Sequence, residues 1–318
     1  MLFIKEEDVK TLLSMEECIR AVEDGYRAMG LGDTAMTPRE NLWLSPPASI
    51  KRASAALPRW GYMGVHAYPG GYGRKSSTPT TTLLYSSHTG QLLATIESRF
   101  LSWYRTGATT AVATKYLAVR DARSAGIFGT GRQARAQLRA LHRVLPLSRV
   151  RAYSPTREHR ESFASEMSKE LGLDITSTDE PRPCVEDAEV VVTITTAKEP
   201  VFQGKWLHSG THVNALGAHY PEIREVDTET VKRSRVIVDS REQALEEKGE
   251  LLIPIREGII TPEIIRAELG EVVAGKSPGR TTDQENTLFC SGGISVEHIA
   301  VAARVYEKAV KQGLGAPL

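Results

Sequence analysis

The most specific chemistry on offer in this chain sits at Gly129-x-Gly131-x-x-Ala134. Three small residues at that spacing suit a turn that leads a buried strand into a helix and cradles a dinucleotide. Gly129 permits the tight turn, Gly131 lets backbone approach a pyrophosphate, and Ala134 lets the helix lie on the sheet. The first-turn N–H groups and the positive end of the helix dipole then face the phosphates. Thr130, Arg132 and Gln133 fill the rest of the loop and join it as cofactor-binding candidates. A strand-to-helix turn without a ligand has the same spacing, so the flanks decide. Ser124-Ala125-Gly126-Ile127-Phe128 reads as a short buried strand, Ala134, Leu138, Leu141 and Leu145 share one helical face, and Ser148 to Tyr153 reads as the next strand.

The end of that second strand selects between cofactors. An acidic residue there would hold the adenosine ribose of NAD. The chain instead has Tyr153-Ser154-Pro155-Thr156-Arg157. Ser154 and Thr156 offer hydroxyl donors and Arg157 a cation, a set that suits a 2′-phosphate. This leans to NADP(H). If Arg157 only opens a solvated helix, NAD(H) binds as well. Thr195 and Thr196 end a further expected strand, and Asn214 lies in the one after it. The carboxyl ends of strands form the cofactor crevice in such sheets, although threonines also serve simply as β-formers.

Around these residues the chain alternates strands and helices. Candidate strands run from Ala188 to Thr195, Thr211 to Leu216 and Arg235 to Asp239, which implies a parallel sheet covered on both faces. The N-terminal part differs. Ser14-x-x-Glu17 is a capping box ahead of Ile19, Val22, Tyr26 and Met29 at helical spacing. Thr80 to Tyr85 and Gln91 to Ile96, joined through His88-Thr89-Gly90, predict a hairpin in a mainly antiparallel sheet. A helix is expected from about Arg105 to Leu117 and a last one from about Gly293 to Lys311. Gly70-Gly71-Tyr72-Gly73 is a plain turn or a lid.

The bulk numbers exclude several classes. With 318 residues the chain suits two domains, and 41% apolar with 25% charged residues is ordinary for a folded protein. A formal net charge of +1 leaves no electrostatic footprint for nucleic acid or an anionic membrane. Cys18, Cys184 and Cys290 are scattered and odd in number, which suggests reduced thiols. No stretch is apolar enough to span a membrane, and the acidic N-terminus is unlike a signal peptide, so the expectation is a cytoplasmic protein.

Taken together, several segments resemble the ornithine cyclodeaminase/μ-crystallin family over nearly the whole length. They are Pro38-Arg39, Thr89-Gly90, Arg105-Thr106-Gly107-Ala108, the Gly129–Ala134 loop, Val213-Asn214-Ala215-Leu216-Gly217-Ala218, Glu247-x-Gly249-Glu250, Glu268 to Val272, Gly279-Arg280-Thr281 and Thr287-Leu288-Phe289. The resemblance implies an α/β chain with a Rossmann domain (119–295) inserted into an α+β substrate and dimerisation domain (1–118 and 296–318). It implies a homodimer and a small amino or imino acid substrate. It places Arg39 and Arg105 on the substrate carboxylate, a task suited to the planar guanidinium fork. Arg105, read as opening a helix, would add the helix end to its own charge. Thr106 beside it becomes a candidate for the cofactor phosphates.

Two positions depart from the family pattern. Where many members carry Lys after Gly-Val, this chain has Gly64-Val65-His66. Where cyclodeaminases place Asp after the Val-Asn-Ala segment, it has His219. Histidine transfers protons near neutral pH but supplies no fixed negative charge. His66 and His219 are therefore candidate proton donors to an imine nitrogen, or hydrogen-bonded pocket residues. They lie too far apart in sequence, without supporting carboxylates, to suggest a metal site. The expectation is an NAD(P)H-dependent imine reductase or amino acid dehydrogenase. A cyclodeaminase (ammonia-lyase) and a non-catalytic NADP(H)-binding crystallin are the alternatives.

Overall fold

The computed structural model describes residues 1–45, 48–70 and 80–317. Gly71, Tyr72 and Gly73 of the expected turn or lid lie outside the described residues. The chain divides into two units, Met1–Thr109 with Ile294–Leu318, and Thr110–Gly293.

The first unit opens with β1 (Leu2–Ile4), α1 (Glu6–Leu12) and α2 (Met15–Leu31). Both arms of the Ser14/Glu17 capping box form, and Gly32 ends α2 in the left-handed region at φ 82°. There follow β2 (Ala35–Met36), β3 (Glu40–Ser45), β4 (Ala48–Leu57), β5 (Tyr62–Gly70), β6 (Thr81–Ser86) and β7 (Leu92–Glu97). The predicted hairpin is β6–β7, paired antiparallel. Helix α3 (Arg99–Leu117) comes next. It starts six residues before the expected Arg105, because Phe100, Leu101, Trp103 and Tyr104 continue the helix ahead of its Ala/Thr-rich part.

The second unit runs β8 (Ser124–Phe128), α4 (Arg132–Val144), β9 (Arg149–Tyr153), α5 (Arg157–Leu171), β10 (Asp174–Ser177), α6 (Pro183–Glu186), β11 (Val190–Thr193), β12 (His212–Ala215), α7 (Thr228–Lys232), β13 (Ser234–Val238), α8 (Arg241–Glu247), α9 (Gly249–Arg256), β14 (Ile265–Glu268), α10 (Leu269–Val273) and β15 (Asn286–Cys290). The chain then returns to the first unit with α11 (Ser295–Gln312) and β16 (Ala316–Pro317).

The sheet of the second unit has the order β10-β9-β8-β11-β12-β15-β13-β14 and every pairing is parallel. The chain moves outward from β8 to β9 and β10, then resumes at β11 on the other side of β8. That reversal is the switch point of a doubly wound Rossmann sheet. Alternate residues of the central strands feed opposite layers. Ala125, Ile127, Val190 and Val192 join Leu138, Leu141, Phe163 and Met167 on one face. Phe128, Val191, Val213 and Ala215 join Phe202, Val226 and Leu251 on the other. Burial on both faces explains why β8 and β11 read as nearly continuous apolar runs.

The sheet of the first unit has the order β16-β1-β7-β6-β5-β4-β2, with β3 also on β4, and is antiparallel except for β1 with β7. Helix α11 packs on α2 and across β4, β5 and β6. Gly25 admits that helix closely, since a Cβ there would lie 3.2 Å from the Ala300 Cβ. Among the described residues no helix is long and apolar enough to cross a membrane.

Candidate active site

In the second unit, β8 delivers the glycine loop to the carboxyl edge of the sheet. Gly129 takes φ 98°, and a Cβ there would sit 2.5 Å from the Ile194 carbonyl oxygen. Only glycine meets both demands. Gly131 is the N-cap of α4, supplies no side-chain cap, and has nothing within 4 Å of where a Cβ would be. The first turn of α4 thus offers donors that no capping side chain satisfies, beside open space. Arg132 stands exposed at the first position of α4 and Gln133 follows, its Oε1 without a hydrogen-bond partner among the described residues. Ala134 is fully buried against the sheet. These features fit a dinucleotide pyrophosphate.

Thr130 joins the loop to the end of β9: its hydroxyl donates to Ser154 Oγ at 3.0 Å, and Ser154 Oγ donates to the Thr156 carbonyl at 3.3 Å. Thr156 is the exposed N-cap of α5. Arg157 is exposed and pairs with Glu161 at 2.7 Å. A further cation escaped sequence inspection. Arg160 is buried beneath this turn, donating from Nη1 to the Ser154 carbonyl at 3.1 Å and pairing through Nη2 with Asp179. It reads as a helix-surface residue, three positions after Arg157, so spacing gave no sign of it.

Thr195 has a structural task. Its N–H and hydroxyl both donate to Glu225 Oε1 at 2.6 Å. The same carboxylate accepts from the Thr193 hydroxyl and the Gly217 N–H, tying the exits of β11 and β12 together. Burial pushes the Glu225 carboxyl above its ordinary range against those four donors. Thr196 is exposed next to Thr195. Asn214 points from inside β12 to α3, its Nδ2 donating to Thr114 Oγ1 at 3.1 Å, and its buried Oδ1 has no hydrogen-bond partner among the described residues. His219 is half-buried after Ala218, whose carbonyl accepts from the buried Lys248 ammonium at 2.7 Å. Lys248 also donates to the Ser291 carbonyl and lies 3.5 Å from Glu250, so the Glu247-x-Gly249-Glu250 segment anchors two strand exits.

In the first unit, Arg105 lies within α3, not at its start, so it receives no helix-end contribution. Its Nη1 donates to Glu297 at 2.9 Å, while its buried Nε has no hydrogen-bond partner among the described residues. Glu297, on α11, also accepts from the Tyr26 hydroxyl. One edge of the guanidinium is therefore fixed and donors remain for an anion. Thr106 turns its hydroxyl onto the Ser102 carbonyl of its own helix at 2.8 Å. His66, on β5, is buried. Burial, then the charges of Arg105 and Arg39, hold its imidazole down at about 3, so the ring is neutral at ordinary pH. Its unshifted value had suggested titration near neutrality. His66 stacks on His298 of α11 with centroids 3.6 Å apart. His66 and His219 belong to different units.

Glu297 and His298 were not singled out from the sequence. The signal was present: a charged and a titratable residue inside Ser295–Ala303, where every residue is buried.

A doubly wound parallel sheet with a glycine loop opening onto an uncapped helix defines a Rossmann dinucleotide-binding protein. The pattern of the ornithine cyclodeaminase/mu-crystallin family matches residues 1–313, and the chain belongs to that family. It is 34% identical to the alanine dehydrogenase of Archaeoglobus fulgidus over 321 residues, covering 100% of this chain and 98% of that one. The structure of Thermococcus litoralis Δ(1)-pyrroline-2-carboxylate reductase in complex with NADH and L-proline is 36% identical, with a TM-score of 0.96 and 100% of both chains covered. An archaeal alanine dehydrogenase dimer with bound NAD is 33% identical, with a TM-score of 0.94, covering 100% of this chain and 98% of that one.

Proposed function

We propose that the chain is an NAD(P)H-dependent oxidoreductase of the carbon–nitrogen bond of a small amino or imino acid, reducing a ketimine or imino acid or running the reverse dehydrogenation. Residues 119–295 bind the dinucleotide, and residues 1–118 with 296–318 bind the substrate and pair two copies into a homodimer. The observation that carries this is Arg105, half-buried and held by Glu297 on one nitrogen while its buried Nε remains without a hydrogen-bond partner among the described residues. An α-imino acid brings a carboxylate beside the reacting carbon, and a two-donor guanidinium edge is its natural seat.

Arg39 and Arg105 receive the carboxylate. Their charges are two of the causes that hold the His66 ring neutral. A bound anion offsets both charges, so the imidazole recovers part of its proton affinity as substrate arrives. His66 then protonates the imine nitrogen, with His219 as the alternative donor. The nicotinamide supplies the hydride in reduction and accepts it in the reverse. The Gly129–Ala134 loop seats the pyrophosphate, with Thr106, Thr195, Thr196 and Asn214 as further contacts. At the adenosine end Ser154, Thr156, Arg157 and Arg160 favour NADP(H), with NAD(H) also accepted.

The test is nicotinamide absorbance with NADPH and NADH against cyclic and linear imino acids, with ammonia assayed in parallel on ornithine and lysine. Cofactor oxidation that depends on an imino acid is the expected result. Ammonia release without net cofactor change would overturn the reductase in favour of a cyclodeaminase. Tight NADPH binding with no turnover across the panel would leave a binding protein. Equal kcat/KM with NADH and NADPH would remove the assigned preference.

A further inference from the structure

His298 is joined to His66 by more than stacking: Thr82 Oγ1 lies 2.7 Å from His298 Nε2 and 3.5 Å from His66 Nδ1. The Thr80 carbonyl can only accept a hydrogen bond, and Ser98 Oγ lies 3.1 Å from it. Ser98 must donate there and has no second proton. Thr82 Oγ1, 2.9 Å from Ser98 Oγ, is therefore the donor of that pair. With its own proton so placed, Thr82 can only accept from His298 Nε2, 2.7 Å away. The direction of every bond follows from the carbonyl at the end. It gives His298 the Nε2–H tautomer, with Nδ1 bare and without a hydrogen-bond partner among the described residues.

Burial, His66 and Arg105 all oppose a charge on this ring. Its neutral face lies 26° from the plane of His66. The approach is built in. Gly64, two residues before His66 on β5, would place a Cβ 2.6 Å from the Leu83 carbonyl oxygen and 2.8 Å from Ile299 Cδ1. A side chain there would collide with the backbone of β6 and displace the Ile299 side chain, next to His298 on α11. A neutral aromatic face favours a cation laid against it, whereas a second ring able to charge would oppose one. The charged and titratable groups around His66 are Arg105 of α3, Arg39 ahead of β3, His298 of α11 and Tyr68 of its own strand.

We propose that His298 is a positioning residue: locked as a neutral Nε2–H ring by Thr82 and Ser98, it fixes the plane of His66 and backs that ring when it carries the proton. This rests on the assignment of His66 as proton donor. Nitrogen-15 NMR of the histidine-labelled full-length protein reads the tautomer without turnover. The expected spectrum shows His298 protonated at Nε2 and bare at Nδ1 at neutral pH; an Nδ1–H or a charged ring overturns the relay. Thr82→Val removes the acceptor of His298 together with the 3.5 Å contact to His66 Nδ1 and keeps the stacked rings, so its effect is read beside that of His298→Phe. Thr82→Val should lower kcat about tenfold and move the basic limb of its pH profile down by about one unit, with NAD(P)H affinity unchanged and Thr82→Ser restoring both. A shift in Thr82→Val with a wild-type His298→Phe would trace to the direct contact and overturn the role of His298. A wild-type profile in both Thr82→Val and His298→Phe overturns the positioning role. Wild-type kcat in His66→Ala would instead overturn the assignment of His66 while leaving the measured tautomer in place.

Discussion

Arg105 combines a fixed charge with little exposure to water. Its side chain is 14% exposed, that of Glu297 is 1% exposed, and they meet at 2.9 Å. Glu297 orients the fork and leaves it able to grip a second anion. Arg105→Lys keeps the charge but loses the two-donor edge. We expect kcat/KM for an imino acid to fall on the order of a hundredfold, through KM, with NAD(P)H affinity unchanged. Unaltered KM in steady-state assays would place the carboxylate elsewhere. The buried histidines make a separate prediction about stability. His66 and His212 are each held at about 3, first by burial and then by nearby arginines. The unfolded chain titrates histidine near 6.5. Below that pH it binds protons that the folded rings refuse, so stability is full above 6.5 and is lost as pH falls toward 3. His212→Gln should therefore shrink the difference in unfolding free energy between pH 7 and pH 5 by about 2 kcal/mol. Identical differences in denaturant titrations of wild type and variant would show that His212 titrates normally in the fold. These two rings also mark what was legible. His66 stood out because it departs from a family pattern. Its neutrality did not, because it depends on burial and on Arg39 and Arg105, distant in sequence.

The loop between β8 and α4 separates a fold requirement from a binding requirement within three residues. Gly129 combines φ 98° with a carbonyl 2.5 Å from any added Cβ. Gly129→Ala should destabilise the fold by about 1–3 kcal/mol and weaken cofactor binding with it. Gly131 has an ordinary φ of −82° and open space around it. Gly131→Ala should leave Tm near wild type and still weaken NADH at least about tenfold, since the methyl enters the space a phosphate would use. Calorimetric titration with thermal melts checks both, and unchanged affinity in Gly131→Ala would remove the pyrophosphate from this loop. The shape of this loop was legible because its requirements are local: the turn, the open space and the helix packing follow from six consecutive residues. Other elements were not. Strand β15 is buried at all five positions, yet Asn286, Thr287 and Cys290 give it no apolar run, and its polar side chains are answered by Thr211 and Leu117. The start of α3 was hidden by aromatic residues that read equally well as strand. Arg160 and Glu225 acquire their roles only when separate strand ends meet at one edge of the sheet.

At the scale of the whole molecule the outer strands of the first unit carry an unpaid debt to water. Leu42 and Ile50 are direct cross-strand partners on β3 and β4, so their side chains share one face. Both are exposed, Leu44 beside them is 74% exposed, and the Glu40–Arg52 ion pair at 2.7 Å borders them. The opposite face of β4 buries Ser49 and Lys51. An apolar group on an open sheet face, edged by charge, is the kind of surface a second chain covers. A two-fold axis there would set the patch against its own copy, since such interfaces are self-complementary. Sedimentation of the wild type should give a dimer at micromolar concentration. Leu42→Glu with Ile50→Glu should give a folded monomer, because four like charges would face one another across the axis while each bordering Arg52 is already paired with Glu40. Both positions are solvent-exposed in the single chain, so its Tm should change little apart from the stabilisation that pairing adds. A double variant that stays dimeric would move the interface to another face, and a monomeric wild type would remove it. Turnover by the monomeric variant carries further information: activity equal to wild type would mean that each copy holds a complete site, and lost activity with intact cofactor binding would mean that pairing shapes the substrate unit.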